Sequence, residues 1–355
     1  MLSRSPVERL ELNSKYVFLS DLHMGNGGKA DDLRRNRRLI RAILSEYYLP
    51  RGYTLVLNGD IEDTVKFRFP AIRNAWPELF AAFDAFDAEG RLRKIIGNHD
   101  HGLLSLHDYP YRLYESLLLE DDGRRILVFH GHQANSVYVK MNEVSGFFLR
   151  YLAVPLRIRN RNRSPESLRR YRAERRIYRA TRQAGIVTIT GHTHRPMFES
   201  LSKYDSLRLS IETLLGEYPG AREERRIEIA RLISVFRSVI EGLNRRDMRH
   251  RLATSLYDDK ALLVPCMFNS GCATGRHGIT GIEIAGAQIL LVHFRCGSDP
   301  SEYIEREAIR AERLSGDACT RFVLRQDSLD AVFTRIGLLG AEAFPERQIP
   351  TFEKP

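Results

Sequence analysis

The chain has 355 residues, 43% of them hydrophobic, and a formal net charge of +10. That length admits one large domain or two modest ones, and the apolar share suffices for a buried core. No stretch approaches the roughly 18 consecutive apolar residues of a membrane span, and Met1 to Ser14 lacks a signal peptide's apolar run.

The first 200 residues alternate short apolar runs with helical patterns, which predicts an α/β core. Strands are expected at Tyr16–Ser20, Thr54–Leu57, Arg93–Ile96, Ile126–Phe129 and Ile186–Thr190. Each runs directly into a polar cluster, in turn DLH, NGD, GNHD, HGH and GHTH. An open α/β sheet places functional residues there, because its loops converge beyond the carboxyl ends of its strands.

From Gly146 to Gln183 the pattern turns helical. An apolar patch (Phe147, Phe148, Leu149, Tyr151, Leu152, Val154) leads into a run with twelve arginines and only two acids between Arg150 and Arg182. Such a cluster suits phospholipid headgroups, nucleotide phosphates or nucleic acid, or is simply a solvated helix face. A second helical segment, Leu207–Leu256, interrupts the core before strands return at Leu262–Val264, Gly281–Ile284 and Ile289–Phe294, the last two joined as a hairpin across Ala285–Ala287. Beyond Gly297 a helix is expected at Ser301–Leu314, then a loose end. The expected organisation is a core over 1–206 with a helical cap at about 136–183, a helical insertion over 207–256, closing strands over 257–297 and a helical or extended tail over 298–355. The four cysteines, Cys266, Cys272, Cys296 and Cys319, show no CxxC spacing and read as reduced thiols, with the cytoplasm as the expected compartment.

Seven groups carry the chemistry: Asp21, His23, Asp60, Asn98, His130, His192 and His194. Carboxylate and amide oxygens mixed with imidazole nitrogens suit borderline first-row metals such as Mn, Fe or Zn, whereas oxygens alone favour Mg or Ca. Asp21 and His23, two apart in an extended segment, share a face, and His192 and His194 repeat the device. Asp60 has two oxygens and can bridge two cations. Two divalent ions bring +4 against −2 from Asp21 and Asp60, leaving positive charge for a hydroxide and a phosphate to neutralise. Singly each motif is weak; five in order, each after a strand, are specific.

Together these motifs resemble the signature of calcineurin-like metallophosphoesterases, over roughly residues 16–200 and the strands near Phe268–Phe294. The resemblance implies a four-layer αββα sandwich with helical cap insertions. It implies one metal on Asp21, His23, Asp60 and His194, a second on Asp60, Asn98, His130 and His192, and His99 as the acid assisting the leaving group. The segment FFLRYLAVPLRIRNRNR is similar to the helical cap of UDP-2,3-diacylglucosamine pyrophosphohydrolases, which act at membranes; that subfamily typically carries arginine where this chain has His99, and aspartate where it has His132. The expected activity is hydrolysis of a phosphodiester or pyrophosphate, by in-line attack of a metal-bridging hydroxide, on an anionic nucleotide- or lipid-linked substrate. Arg195, Arg157 and Arg159 are candidate phosphate contacts, and the inner membrane face is a candidate partner surface. A nuclease or cyclic-nucleotide phosphodiesterase is the alternative enzyme, and a non-catalytic binding module the alternative class.

Other residues read as structural. Asp63 is expected as a helix or loop cap, His101 and His132 as loop histidines, and the glycines of Asn269–Gly278 as turns, with Arg276 and His277 kept as candidate substrate contacts. Cys272 has no marked base and is not expected as a nucleophile.

Overall fold

A computed structural model describes residues 5–134, 168–201, 203–246, 263–276, 278–297, 308–314 and 319–339. The small sheet has the order β1 (Val7–Arg9), β6 (Ser116–Asp121), β7 (Arg124–Phe129), β8 (Val187–Thr190), β9 (Met267–Asn269). The large sheet has the order β12 (Arg310–Arg313), β13 (Cys319–Ser328), β11 (Gln288–Cys296), β10 (Ile279–Ala285), β2 (Lys15–Leu19), β3 (Thr54–Asn58), β4 (Leu92–Ile95), β5 (Leu113–Tyr114). In it β2 to β5 run parallel, and β10 to β13 pair antiparallel.

Alternation along β2 and β3 explains the layering. Phe18 and Val56 point between the sheets, meeting Ile126, Val128, Ile189 and Phe268 of the small sheet. Val17, Leu19, Leu55 and Leu57 point the other way, onto Ile40, Leu44, Tyr48, Phe83 and Phe86. Those partners come from α1 (Arg37–Arg41), the π-helical turn Ala42–Tyr48 that continues it, and α3 (Pro77–Ala88), which follows α2 (Phe69–Ala75). Central parallel strands buried on both faces must be apolar throughout, and each large side chain so buried contributes about 1.5–3 kcal/mol. Helix α4 (Leu168–Ala184) packs on the small sheet through Ile177 and Tyr178, so the expected αββα sandwich holds.

Three expectations need correction. The closing strand is Met267–Asn269, not Leu262–Val264. Val264 and Cys266 are buried, but side chains take the Val264 backbone, through the Tyr178 and Ser200 hydroxyls, and share the Cys266 amide with the Val264 carbonyl, while the Cys266 carbonyl accepts from the Thr188 amide of β8. Of the helix expected at Ser301–Leu314, residues 301–307 lie outside the described residues and Arg310–Arg313 form strand β12, whose pairing with β13 overrides helix propensity; β13 with α7 (Leu329–Leu339) puts a strand and a helix where a loose end was expected. Finally, Cys296 and Cys319 form a disulfide; register places them directly opposite on β11 and β13, with Cα atoms 3.9 Å apart. Their separation of 23 residues hides that pairing, and only Cys266 and Cys272 remain free.

Helices α5 (Lys203–Glu217) and α6 (Glu223–Arg246) form a hairpin closed over Leu207, Leu214, Ile229 and Phe236. Its acids are used locally: Arg225 pairs with Glu217 and Glu228, and Arg226 with Glu223. The cap patch Phe147–Val154 and Arg157, Arg159, Arg161 and Arg163 lie outside the described residues. Among the described residues, no helix is long and apolar enough to cross a membrane.

Candidate metal centre

The five polar clusters meet where β2, β3 and β4 of the large sheet end beside β7 and β8 of the small one. Their loops are stitched in pairs. The amides of Asp21 and His23 donate to Gly59 and Asp60 carbonyls (3.0 Å each), and the Gly191 amide donates to His130 O (2.9 Å). A further bond crosses between the sheets: the His192 amide donates to Asp21 Oδ2 at 2.9 Å.

Backbone conformation aims the side chains. Asp21, His23, Asp60, His192 and His194 all have positive φ, between 49° and 68°. A non-glycine residue there is strained by of order 1–3 kcal/mol and persists only where its surroundings hold it. Neighbouring glycines make the room. A Cβ on Gly97 would run into the Asp60 carboxylate and amide, and one on Gly191 into Ser20 and the Asp21 carboxylate.

Three groups of ligand atoms lie within 4.8 Å of one another: Asp21, His23 and His194; Asp60, His130 and His192; and His23, Asp60 and His99. His194 Nε2 stands 3.0 Å from Asp21 Oδ1, and His130 Nε2 3.2 Å from Asp60 Oδ2. The Nε2 atoms of His23 and His194 face each other at 3.1 Å. His130 donates its Nδ1 proton to Asn58 O (2.8 Å), which turns Nε2 inward as an acceptor. Asn98 Oδ1 is buried with no hydrogen-bond partner, next to Gly97 and His99, which both abut Asp60. An unsatisfied buried oxygen beside facing imidazoles fits a cation.

The electrostatics agree. Burial opposes charge on Asp21, but His194 and His130 hold it well below the usual carboxylate range; His130 and His23 do the same for Asp60. Burial likewise opposes protonation of His130 and His194, yet Asp60 and Asp21 push His130 up to about 9, and Asp21 with Cys272 pushes His194 up to about 10. Protons thus bind where a cation would. His132, buried against His130 and His192, is held neutral, well below the ordinary histidine range.

His99, within reach of His23 and Asp60, is also held from outside that ligand set. Its amide donates to Asp60 Oδ1 (2.7 Å), its ring meets His23 edge-on (4.6 Å), and Nδ1 donates to Asp63 Oδ1 (3.0 Å). Burial lowers its affinity for a proton; the Asp63 hydrogen bond and the charges of Asp60 and Asp63 outweigh that and raise it. Asp63 is therefore not the cap expected: its carboxylate holds His99 and Lys66 (2.8 Å). Arg195 reaches Glu174 of α4, at 3.2 Å, so one candidate phosphate contact is tied to a buried acid. Arg157, Arg159 and His277 lie outside the described residues, and Arg276 is exposed. Cys272 hydrogen-bonds His194, a contact that outweighs burial and lowers its thiol.

Two supports carried no recognisable motif. Asn269 donates to Gly191 O (2.8 Å) and Thr193 Oγ1 (3.2 Å), pinning the GHTH turn. Asn58 donates to Phe129 O at 3.2 Å, tying the sheets beneath the site. Only the asparagine ending β3 and the one opening NSGC hinted at them.

No curated protein matches this chain. Among solved structures, it is similar to the Yfce phosphoesterase from E. coli, at 13% identity over 78% of this chain and 91% of that one, TM-score 0.31. It is also similar to the protein of unknown function AQ665 from Aquifex aeolicus, at 21% identity over 51% and 79%, TM-score 0.27. At such TM-scores neither carries weight. The family model for calcineurin-like phosphoesterases matches residues 14–204, more than half of the chain and all five clusters, and the chain belongs to that family.

Proposed function

We propose that this phosphoesterase hydrolyses a phosphodiester or pyrophosphate bond at a centre of two divalent cations, with Mn the preferred metal and Fe or Zn as alternatives. The observation that carries the reading is the convergence of Asp21, His23 and His194 with Asp60, His130 and His192, together with a buried, unpartnered Asn98 oxygen in the turn that abuts Asp60. Asp21, His23, Asp60 and His194 would hold one cation, and Asp60, Asn98, His130 and His192 the other. Bound there, the cations supply Lewis acidity and an activated water. The protein's own part is proton management. His99, protonated and oriented by Asp63, donates to the departing oxygen, and the negative Asp63 stabilises its imidazolium.

The substrate class we favour is a nucleotide- or lipid-linked phosphate. Helix α4 supports this reading: Arg172, Arg176 and Arg179 share its exposed face at positions i, i+4 and i+7, while Ala173, Ile177 and Tyr178 are buried. The same basic face supports peripheral attachment to an anionic leaflet at the cytoplasmic side, and also the nuclease reading, in which it tracks a phosphate backbone. Hydrolysis of nucleotide-sugars, lipid-linked pyrophosphates, cyclic nucleotides and single-stranded DNA, each with Mn supplied, decides among them. Turnover that survives exhaustive, verified metal removal would refute the metal-centred reading.

A further inference from the structure

Lys94 lies on β4, and its side chain is wholly buried beneath the centre. Its ammonium sits 2.7 Å from Asp100 Oδ2 and 2.9 Å from Glu62 Oε2. Both acids are fully buried, and Tyr109 donates to Glu62 Oε1 at 2.9 Å. Strand β4 should have carried an apolar residue there, since Lys94 points to the same face as Leu92, which joins the core under the helices. A buried lysine is expensive and persists only when fully paired.

The acid it pairs with is a clamp. Asp100 Oδ1 accepts from the Gly97 amide (2.6 Å), and Oδ2 accepts from the Ile61 amide (2.9 Å). One carboxylate therefore closes the GNHD turn on itself and ties it to the turn that carries Asp60. Between those two amides stand the groups that do the work: Asp60, Asn98 and His99. Without Lys94, Asp100 would lose the ammonium that anchors it and keep only the two amides it joins, so the clamp loosens where Asn98 and Asp60 must hold their spacing.

We infer that Lys94 is a positioning residue: through Asp100 it fixes the GNHD turn against the Asp60 turn and so sets the geometry of Asn98, Asp60 and His99. This rests on the metal-dependent reading above. Groups that orient ligands in this way typically alter metal affinity 10–100-fold when removed.

Mn binding is measured by calorimetry, and turnover on an aryl phosphodiester at saturating Mn, for Lys94→Met, Asp100→Asn, their double variant and Glu62→Gln. Lys94→Met should raise the Mn Kd about 10–100-fold and lower kcat about tenfold, with KM changed less than about twofold. Asp100→Asn should reproduce those losses, and the double variant should be no worse than either, since both act through one clamp. Glu62→Gln, which leaves the Lys94–Asp100 pair in place, should change the Mn Kd less than about threefold. Should Lys94→Met not fold, Lys94→Met/Glu62→Gln removes one charge of each sign and carries the same test.

A folded Lys94 variant that binds Mn with wild-type affinity, and loses only thermal stability, overturns the inference. So do losses that multiply in the double variant. Wild-type protein that binds no Mn overturns the underlying reading instead, so the two failures are separable.

Discussion

Replacing Asp63 by asparagine tests the proton donor without touching a ligand. Asp63 accepts from His99 Nδ1 at 3.0 Å, with its side chain 1% exposed. Hydrogen bonds to buried charged groups are worth about 1.5–3 kcal/mol, which at about 1.4 kcal/mol per factor of ten means a loss of roughly 10- to 150-fold in the imidazole's hold on its proton. Above the pH at which His99 titrates, that is the loss in protonated enzyme. The remaining imidazolium is a stronger acid, and for a half-transferred proton this recovers about half of the loss on a logarithmic scale. On the basic side of the wild-type limb the net expectation is roughly a 3- to 12-fold fall in kcat on alkyl esters, and under twofold on p-nitrophenyl esters, whose leaving group needs little protonation. Asp63 and Asp60 raise His99 above the ordinary histidine range, so the wild-type acid is lost as pH climbs through that raised value. In Asp63→Asn the basic limb of the kcat profile should move to lower pH. His99→Ala bounds the effect at about 10²–10⁴-fold for poor leaving groups. The assay is a pH–rate series over leaving groups at saturating Mn. An unmoved basic limb, or an equal loss across all leaving groups, would refute the assignment.

Chelation should abolish hydrolysis and Mn should restore it; Asp60→Ala should be the most damaging single change, with loss of metal visible by elemental analysis. Because His130 and His194 titrate at about 9 and about 10 without a cation, filling the centre at pH 7.5 should release about two protons. Metal affinity should therefore fall as pH drops; calorimetry in buffers of different ionisation enthalpy measures the release, and none observed would contradict the pairing. Gly97→Ala should lose Mn binding by more than about 100-fold, because its methyl meets the Asp60 carboxylate and amide; wild-type metal affinity in that variant would show that the turn can yield.

The candidate ligands were legible because each stands just past an apolar strand in a short motif, and the family resemblance grouped them. The supports were not. Asp63 reads as a cap until the fold brings His99 across 36 residues to its carboxylate. Lys94 looks like a surface charge inside β4, and only the burial of Glu62 and Asp100 beside it gives it a partner. Arg310–Arg313 has helical composition, and its strand exists only through register with β13. Cys296 and Cys319 meet for the same reason. These features share one cause: they depend on which segments the fold pairs, from neighbouring strands to segments tens of residues apart, and a residue's own local pattern does not encode that.

The left-handed backbone at Asp21, His23, Asp60, His192 and His194 works as a filter on heredity as well as a way to aim ligands. Asparagine, aspartate and histidine are the non-glycine side chains most tolerated in that conformation, and β-branched or bulky ones are shut out. Ligand chemistry and conformation therefore select from almost the same few residues. Glutamate at position 21 or 60 would keep the charge at a higher backbone cost, whereas asparagine would sit there more easily and weaken the charge. The paths open to drift at these positions run through asparagine and histidine, toward altered metal preference before collapse of the fold.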